Sequence, residues 1–380
     1  MNKKRKKKMT LFNTFNLDGK LVEAIESQAY KTPTSIQTKA IPLILEGRDL
    51  IGCAQTGTGK TAAFALPILD RYVKVTTDPH AFNRIKALVL APTRELAIQI
   101  GESFRIYGQW TEIRTGVVFG GVTPKRHMKV LKKEPSILVA TPGRLRQLIE
   151  EGSIDLSAIE VFVLDEADRM LELGMVEDVK SIIAMLPKSR QNLMFSATMP
   201  KEIRTLAASF LNNPVHIEVK PEKKNQPKII QEVYYLEETH KAEKLIDILK
   251  EKKNISVLIF VRTKKKADKL AKSININNIR TRAFHGDINQ SQRIKTLEMF
   301  KNKEIQVLVA TDVAARGIDI DGLDMVINFN IPNVPQTYIH RIGRTGRAGE
   351  KGRAISLCSK DEQVFLKRIE QFQGKKIHRC

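Results

Sequence analysis

Two adjacent carboxylates, Asp165 and Glu166, follow the apolar run Val161, Phe162, Val163, Leu164, and a third, Asp168, stands close behind them. Such a run, bounded by charge, reads as a buried strand of a parallel sheet. Ligands of open α/β sheets bind beyond the carboxyl ends of such strands, so these acids are aimed at a site. Upstream, Ala54, Gln55, Thr56, Gly57, Thr58, Gly59, Lys60 and Thr61 lie between a short apolar stretch and a helical one. That loop is a phosphate cradle, although Ala54 stands where the strict pattern has glycine. Gly57 and Gly59 let backbone N–H groups approach phosphate oxygens, with Thr56 and Thr58 completing the loop. Lys60 sets a point charge on the β/γ phosphates, and the Thr61 hydroxyl can ligate Mg2+. Asp165 suits the same ion through its water shell, and Glu166 is placed to orient and deprotonate an attacking water. The chemistry predicted is nucleoside triphosphate hydrolysis.

A second cluster reads His340, Arg341, Ile342, Gly343, Arg344, Thr345, Gly346, Arg347. Arginines at spacing three offer planar donors to a crowded anion. If the two halves of the chain close, Arg344 and Arg347 can reach the γ-phosphate as arginine fingers supplied in cis.

Positioning these groups requires two successive α/β cycles. Strands are expected at 49–53, 87–91, 116–119, 137–140, 161–164 and 193–195, then at 257–261, 282–284, 307–310, 325–329 and 354–358. Helical patterns such as 61–69, 95–107, 264–273 and 291–300 separate them. This alternation predicts an α/β fold of two tandem units, each a mostly parallel sheet with helices on both faces. The expected division is a disordered basic head at 1–10, a first domain at 11–217, a polar two-proline linker at 218–228 and a second domain at 229–380.

The 64 Lys and Arg against 42 Asp and Glu, a formal charge of +22, point to a polyanionic partner, most commonly nucleic acid. The head alone places Lys3, Lys4, Arg5, Lys6, Lys7 and Lys8 together with no acid, so it can neutralise phosphates without sequence preference. No apolar segment approaches the ~20 residues of a membrane span, and residues 9–13 are no signal-peptide core. Cys53, Cys358 and Cys380 are isolated, which excludes a disulfide framework or a cysteine metal cluster. The expected setting is a reducing cytoplasm, and the absence of an obvious dimerisation helix leaves a monomer expected.

From Phe12 to the C-terminal helix the chain resembles the DEAD-box ATP-dependent RNA helicases of superfamily 2, and among them the short bacterial RhlE-like members. The resemblance implies two tandem RecA-like domains, ATP with Mg2+ as cofactors, and RNA as partner. Tyr30, Pro33, Thr34, Ile36 and Gln37, with Phe12 upstream, are similar to the adenine-recognising motif; Gln37 would read the base edge and Tyr30 would stack on it. Ala29 replaces the family's usual glycine before that aromatic. Arg94, Gly121, Thr141 and Arg144 match the RNA-backbone motifs of the first domain. Ser196 and Thr198 match the element that couples nucleotide state to strand separation, through hydrogen bonds to Asp168 and His340. In the second domain Phe260 and Arg262 lie in the fourth motif, Gln290 and Arg293 also touch RNA, and Thr311 and Arg316 do so from the fifth motif. Asp319 would hold the ribose of ATP. Asn328, Phe329 and Asn330 differ from the family's commoner Tyr-Asp at that place.

The implied activity is an RNA-gated clamp. ATP and RNA favour closure of the two domains, closure bends one RNA strand, and a short duplex comes apart locally without strong sequence preference. RNA–protein complexes would be remodelled in the same way. An ATP-gated RNA platform and a DNA helicase or translocase are the alternatives.

Overall fold

The computed structural model describes residues 11–54, 57–75, 84–219, 229–251, 255–315, 322–346 and 352–380. The chain divides into two compact units, Met1–Lys220 and Pro221–Cys380. The basic head and residues 220–228 of the expected linker lie outside the described residues. Glu218, expected in that linker, instead ends a strand, and the Val219 N–H continues the pairing by donating to Cys53 O at 2.9 Å.

The first unit is built on seven strands: β1 (Leu50–Cys53), β2 (Ala87–Leu90), β3 (Thr115–Val118), β4 (Ile137–Ala140), β5 (Val161–Leu164), β6 (Gln191–Ser196) and β7 (Val215–Glu218). Their order is β3-β4-β2-β5-β6-β1-β7, and every pairing is parallel. Successive residues of a strand face opposite sides, so an all-apolar strand feeds two cores at once. Val161 and Val163 join a core with the helices Ser35–Leu45, Lys60–Val75 and Arg94–Tyr107. Phe162 and Leu164 join another with Pro142–Glu150, Val176–Met185 and Lys201–Phe210. β7 was not anticipated, because only Ile217 of its four residues is buried and an edge strand need not be apolar.

The second unit repeats the plan with β8 (Ile229–Tyr235), β9 (Val257–Val261), β10 (Thr281–Phe284), β11 (Val307–Thr311), β12 (Met325–Asn328), β13 (Gly352–Cys358) and β14 (His378–Arg379). The order is β10-β11-β9-β12-β13-β8-β14, again with parallel pairings throughout. The mostly parallel sheets of the sequence reading are therefore wholly parallel. β8 and β14 were also unforeseen; β8 is half-buried along its length and β14 has only two residues, so neither carries a core pattern.

Asp49 stitches the start of β1 to β6 and to the turn that precedes β7. Its buried carboxylate accepts the Asn192 N–H at 2.7 Å, the Asn192 side-chain amide at 3.0 Å and the Asn212 N–H at 2.7 Å. Asp49→Ala leaves these donors without partners and should cost about 2–4 kcal/mol in urea-denaturation stability. A loss under about 0.5 kcal/mol would show that water or neighbouring groups replace the carboxylate.

Candidate nucleotide and RNA sites

The phosphate loop leaves the carboxyl end of β1. Gly57 and Gly59 take positive φ of 76° and 89°, and Lys60 opens the helix Lys60–Val75. The Lys60 ammonium is buried and donates to Ala54 O at 3.0 Å, so it spans the loop from its far end. Gln37 fastens the outside of the same loop. Its Nε2 donates to Gly59 O at 3.1 Å, and its Oε1 accepts the Thr34 N–H at 2.8 Å. A Cβ at Gly59 would collide with that amide, so glycine is needed there for space as well as for φ. Thr58 and Thr61 are half-buried on either side of this point. One N–H and one lone pair of the Gln37 amide are thus engaged by Gly59 and Thr34, which leaves one of each for an adenine edge.

Tyr30 presents an exposed ring, with its hydroxyl 3.3 Å from that of Tyr107. Phe12, expected among the residues contacting the base, is fully buried and has no surface for a ligand. The short 3-10 turn Leu11–Phe15 aims it into the core, where it packs against Phe15 and lies beneath Tyr30 at 6.4 Å. Its role is corrected to support of the exposed ring. Ala29 adopts φ 57°, the left-handed conformation that the usual glycine would take without strain.

The acidic tetrad sits at the end of β5. Asp165 is 2% exposed, and its Oδ1 accepts the Glu166 N–H at 2.9 Å. Burial pushes its carboxyl up to about 6, opposed by the charge of Lys60 and reinforced by Glu166. Glu166 occupies the left-handed region, φ 52° and ψ 52°, where a non-glycine residue is strained. Its carboxylate meets Arg169 Nη1 at 3.2 Å, one helical turn away. Asp168 is bound from β6: its Oδ2 takes both the N–H and the hydroxyl of Thr198 at 2.9 Å. Its own N–H reaches Ser196 Oγ at 3.2 Å, and that hydroxyl donates to Thr198 O at 2.7 Å. The hydrogen bonds expected between Thr198, Ser196 and Asp168 are therefore present. Arg169 was missed, though its spacing of three from Glu166 on a helix was a readable signal.

The RNA candidates of this unit lie at the ends of the neighbouring strands. Thr93, after β2, caps the helix that Arg94 opens, its hydroxyl accepting the Leu96 N–H. The Arg94 guanidinium lies directly against Gly121, which has φ 80° and no room for a Cβ. Thr141 follows β4 and stands at the N-cap of the helix Pro142–Glu150 that carries Arg144. Arg144 is not a loose surface cation: its Nε donates to His127 Nδ1 at 3.2 Å and its Nη1 to Gln147 Oε1 at 3.1 Å. His127, which sequence reasoning passed over, also receives the Phe119 N–H on Nε2 at 3.3 Å.

In the second unit Thr311 ends β11, and Asp312 beside it grips Arg341 through two bonds of 2.6 and 2.7 Å. Arg341 Nη1 also reaches Asn328 Oδ1 at 2.9 Å and Asn330 O at 2.7 Å, with the guanidinium over the Phe260 ring. This arginine holds the unit together and is committed to protein partners. Arg344 is buried and His340 half-buried nearby. Gln290 and Arg293 are buried at the start of the helix Gln290–Lys301, with Arg293 over the Phe284 ring at 4.8 Å. Arg262 is exposed at the end of β9. Thr56, Arg316, Asp319 and Arg347 lie outside the described residues. Among the described residues there is no group of three or more His, Cys, Asp or Glu placed to hold a metal, and no helix long and apolar enough to cross a membrane. Burial pushes the Cys53 thiol up and that of Cys358 up to about 12, as suits inert packing residues.

Residues 34–206 match the DEAD/DEAH box helicase family model, and residues 240–349 match the helicase conserved C-terminal domain. The chain is 43% identical over 371 residues to the DEAD-box ATP-dependent RNA helicase CshA of Bacillus cereus (strain ATCC 10987 / NRS 248), covering 98% of this chain and 70% of that protein. The chain belongs to the DEAD-box helicase family. CshA of Bacillus subtilis (strain 168) is 41% identical, with coverages of 97% and 73%. Among solved structures, S. cerevisiae Dbp5 bound to RNA and ADP BeF3 is 33% identical with a TM-score of 0.87, covering 98% of this chain and 96% of that one. Mss116p bound to ssRNA and AMP-PNP is 30% identical with a TM-score of 0.86, covering 97% and 78%. The two α/β units are thus the paired RecA-like domains of a DEAD-box helicase.

His127 sits between Arg144 and the Phe119 N–H, one on each ring nitrogen. A neutral imidazole accepts at one nitrogen only, so the ring serves either Arg144 or Phe119 at one time. Burial first, and then the charge of Arg144, hold it below the ordinary histidine value of 6.5. The unfolded chain therefore binds this proton before the folded one does, and folding stability falls as pH drops through 6.5. The urea midpoint of the wild type should fall more between pH 7.5 and 5.5 than that of His127→Gln. Parallel pH profiles would remove His127 as the titrating group.

Proposed function

We propose that this chain is an RNA-dependent ATPase that uses ATP and Mg2+ to separate short RNA duplexes locally, or to remodel RNA–protein complexes, without strong sequence preference. The observation that carries the reading is the order of strands in the first sheet. The nucleotide residues follow β1, β5 and β6, the RNA candidates follow β2, β4 and β3, and β5 and β2 are neighbours. The names of the CshA relatives and the RNA and nucleotide analogues bound to Dbp5 and Mss116p support it.

In this reading Gly57, Thr58, Gly59 and Lys60 hold the phosphates, with Thr56 completing the loop, while Tyr30 and Gln37 take the adenine and Asp319 the ribose. Buried Asp165 and the Thr61 hydroxyl form an all-oxygen donor set that suits Mg2+, and a carboxyl so burdened by burial gains from a cation. The ion, when bound, would neutralise charge on the β/γ phosphates. Glu166 deprotonates the attacking water, oriented by its ion pair with Arg169. Arg344 and Arg347 complete the anion site once RNA is bound, and His340 receives the coupling signal from Asp168, Ser196 and Thr198. Arg94, Gly121, Thr141, Arg144, Arg262, Gln290, Arg293, Thr311 and Arg316 contact the RNA backbone, so little base specificity follows. The protein works as a cytoplasmic monomer.

Steady-state ATP hydrolysis with no nucleic acid, with single-stranded RNA and with the same sequence as DNA tests the proposal. RNA alone should stimulate. Lys60→Ala should abolish nucleotide binding, whereas Glu166→Gln should bind ATP normally and hydrolyse it about 10²–10⁴-fold more slowly. Equal stimulation by DNA, or equal loss of nucleotide affinity in both variants, would sink it.

A further inference from the structure

Glu362 lies beyond the conserved C-terminal domain match, which ends at residue 349, yet it reaches Arg262 at the carboxyl end of β9. It sits just before the helix Gln363–Gln373 and is 1% exposed, with each carboxylate oxygen committed to different partners. Oε2 meets Lys241 Nζ at 2.6 Å and accepts the Ser359 N–H at 3.4 Å. Oε1 accepts from Asn330 Nδ2 at 3.1 Å and from Arg262 Nη2 at 3.3 Å. Lys241 is itself wholly buried and has further bonds to Phe329 O at 3.2 Å and Glu238 at 2.9 Å. A buried ion pair is tolerated only when such additional bonds satisfy it, so the orientation of Glu362 is set from behind by Lys241.

The forward oxygen then acts on Arg262. That side chain is 49% exposed, and a guanidinium presents five donors in a rigid fork. The bond of Nη2 to Glu362 restricts the fork, and the exposure of the side chain leaves its other donors open to a phosphate. Asn330 holds the same residue by its backbone, its Oδ1 accepting the Arg262 N–H at 3.3 Å. An aspartate at 330, as the commoner family wording has, would set a second carboxylate against Glu362 Oε1. The amide at 330 and the acid at 362 therefore fit one another in this chain.

We propose that Glu362 is a positioning residue that presets the guanidinium of Arg262 for an RNA phosphate from the C-terminal end of the second unit. The proposal rests on the reading of Arg262 as an RNA contact. RNA affinity of the full chain is measured by fluorescence anisotropy for wild type, Glu362→Ala, Arg262→Ala and the double variant, with ATPase titrated against RNA in parallel. Glu362→Ala should weaken RNA binding about threefold to tenfold and raise the RNA concentration for half-maximal ATPase, with the maximal rate near wild type. In the Arg262→Ala background the same change should cost nothing further, a pattern that general destabilisation would not produce. If Glu362→Ala does not fold, the paired substitution Lys241→Met with Glu362→Leu replaces the buried ions by apolar volume and should show the same loss. An equal loss in both backgrounds, or none in either, overturns the proposal. Wild-type affinity in Arg262→Ala overturns it at its premise, while RNA-stimulated hydrolysis in that variant would leave the proposed function standing.

Discussion

In a sheet whose strands all run parallel, every carboxyl end lies on one edge, and that constraint gathers the loop after β1, the acids after β5 and the candidates after β2, β3 and β4 along one border. Seven parallel strands in each unit deliver their following loops to a common border, and the helices needed for the return crossovers cover both faces. Strand order then becomes an order of chemistry. In the first sheet the phosphate-loop, acidic and Ser196–Thr198 candidates follow the contiguous strands β1, β5 and β6, and the RNA candidates follow β2, β4 and β3. Asp168 and Thr198 tie the ends of β5 and β6 together through two hydrogen bonds of 2.9 Å.

The same border is where the protein tolerates local cost. Glu166 holds a left-handed backbone conformation, and Asp165 keeps a carboxyl in surroundings that oppose its charge. Either would be selected against in a passive loop. Rigid strands on both sides over-determine the geometry, so the strain persists.

The basic residues sort by what holds them. Arg341 is consumed by Asp312, Asn328 and Asn330 and serves as internal framework. Arg144 is braced by His127, Arg94 rests on Gly121, and Arg262 is steadied by Glu362. Ordering a long side chain before its ligand arrives removes part of the entropic cost of binding. A backbone-reading surface gains most from this, because it makes many similar contacts and has no base edge to set register.

Much of this protein was legible in its sequence. Runs such as Val161 to Leu164 can only be strands buried on both faces, and a glycine-rich turn ending in Lys60 and Thr61 can do little except cradle phosphate. Those signals are local: period, burial and spacing are properties of neighbours in the chain. Phe12 was misread because an aromatic's place in a motif does not say whether it faces core or solvent. β7, β8 and β14 were missed because edge strands lack a continuous apolar pattern. The partnerships of Gln37 with Gly59, His127 with Arg144 and Glu362 with Arg262 lie 22, 17 and 100 residues apart. Residue types and spacing determined which groups are available for chemistry here. Only tertiary structure decided which of them are held in place and by what, because such pairings form where strand order, and no local pattern, brings distant segments together.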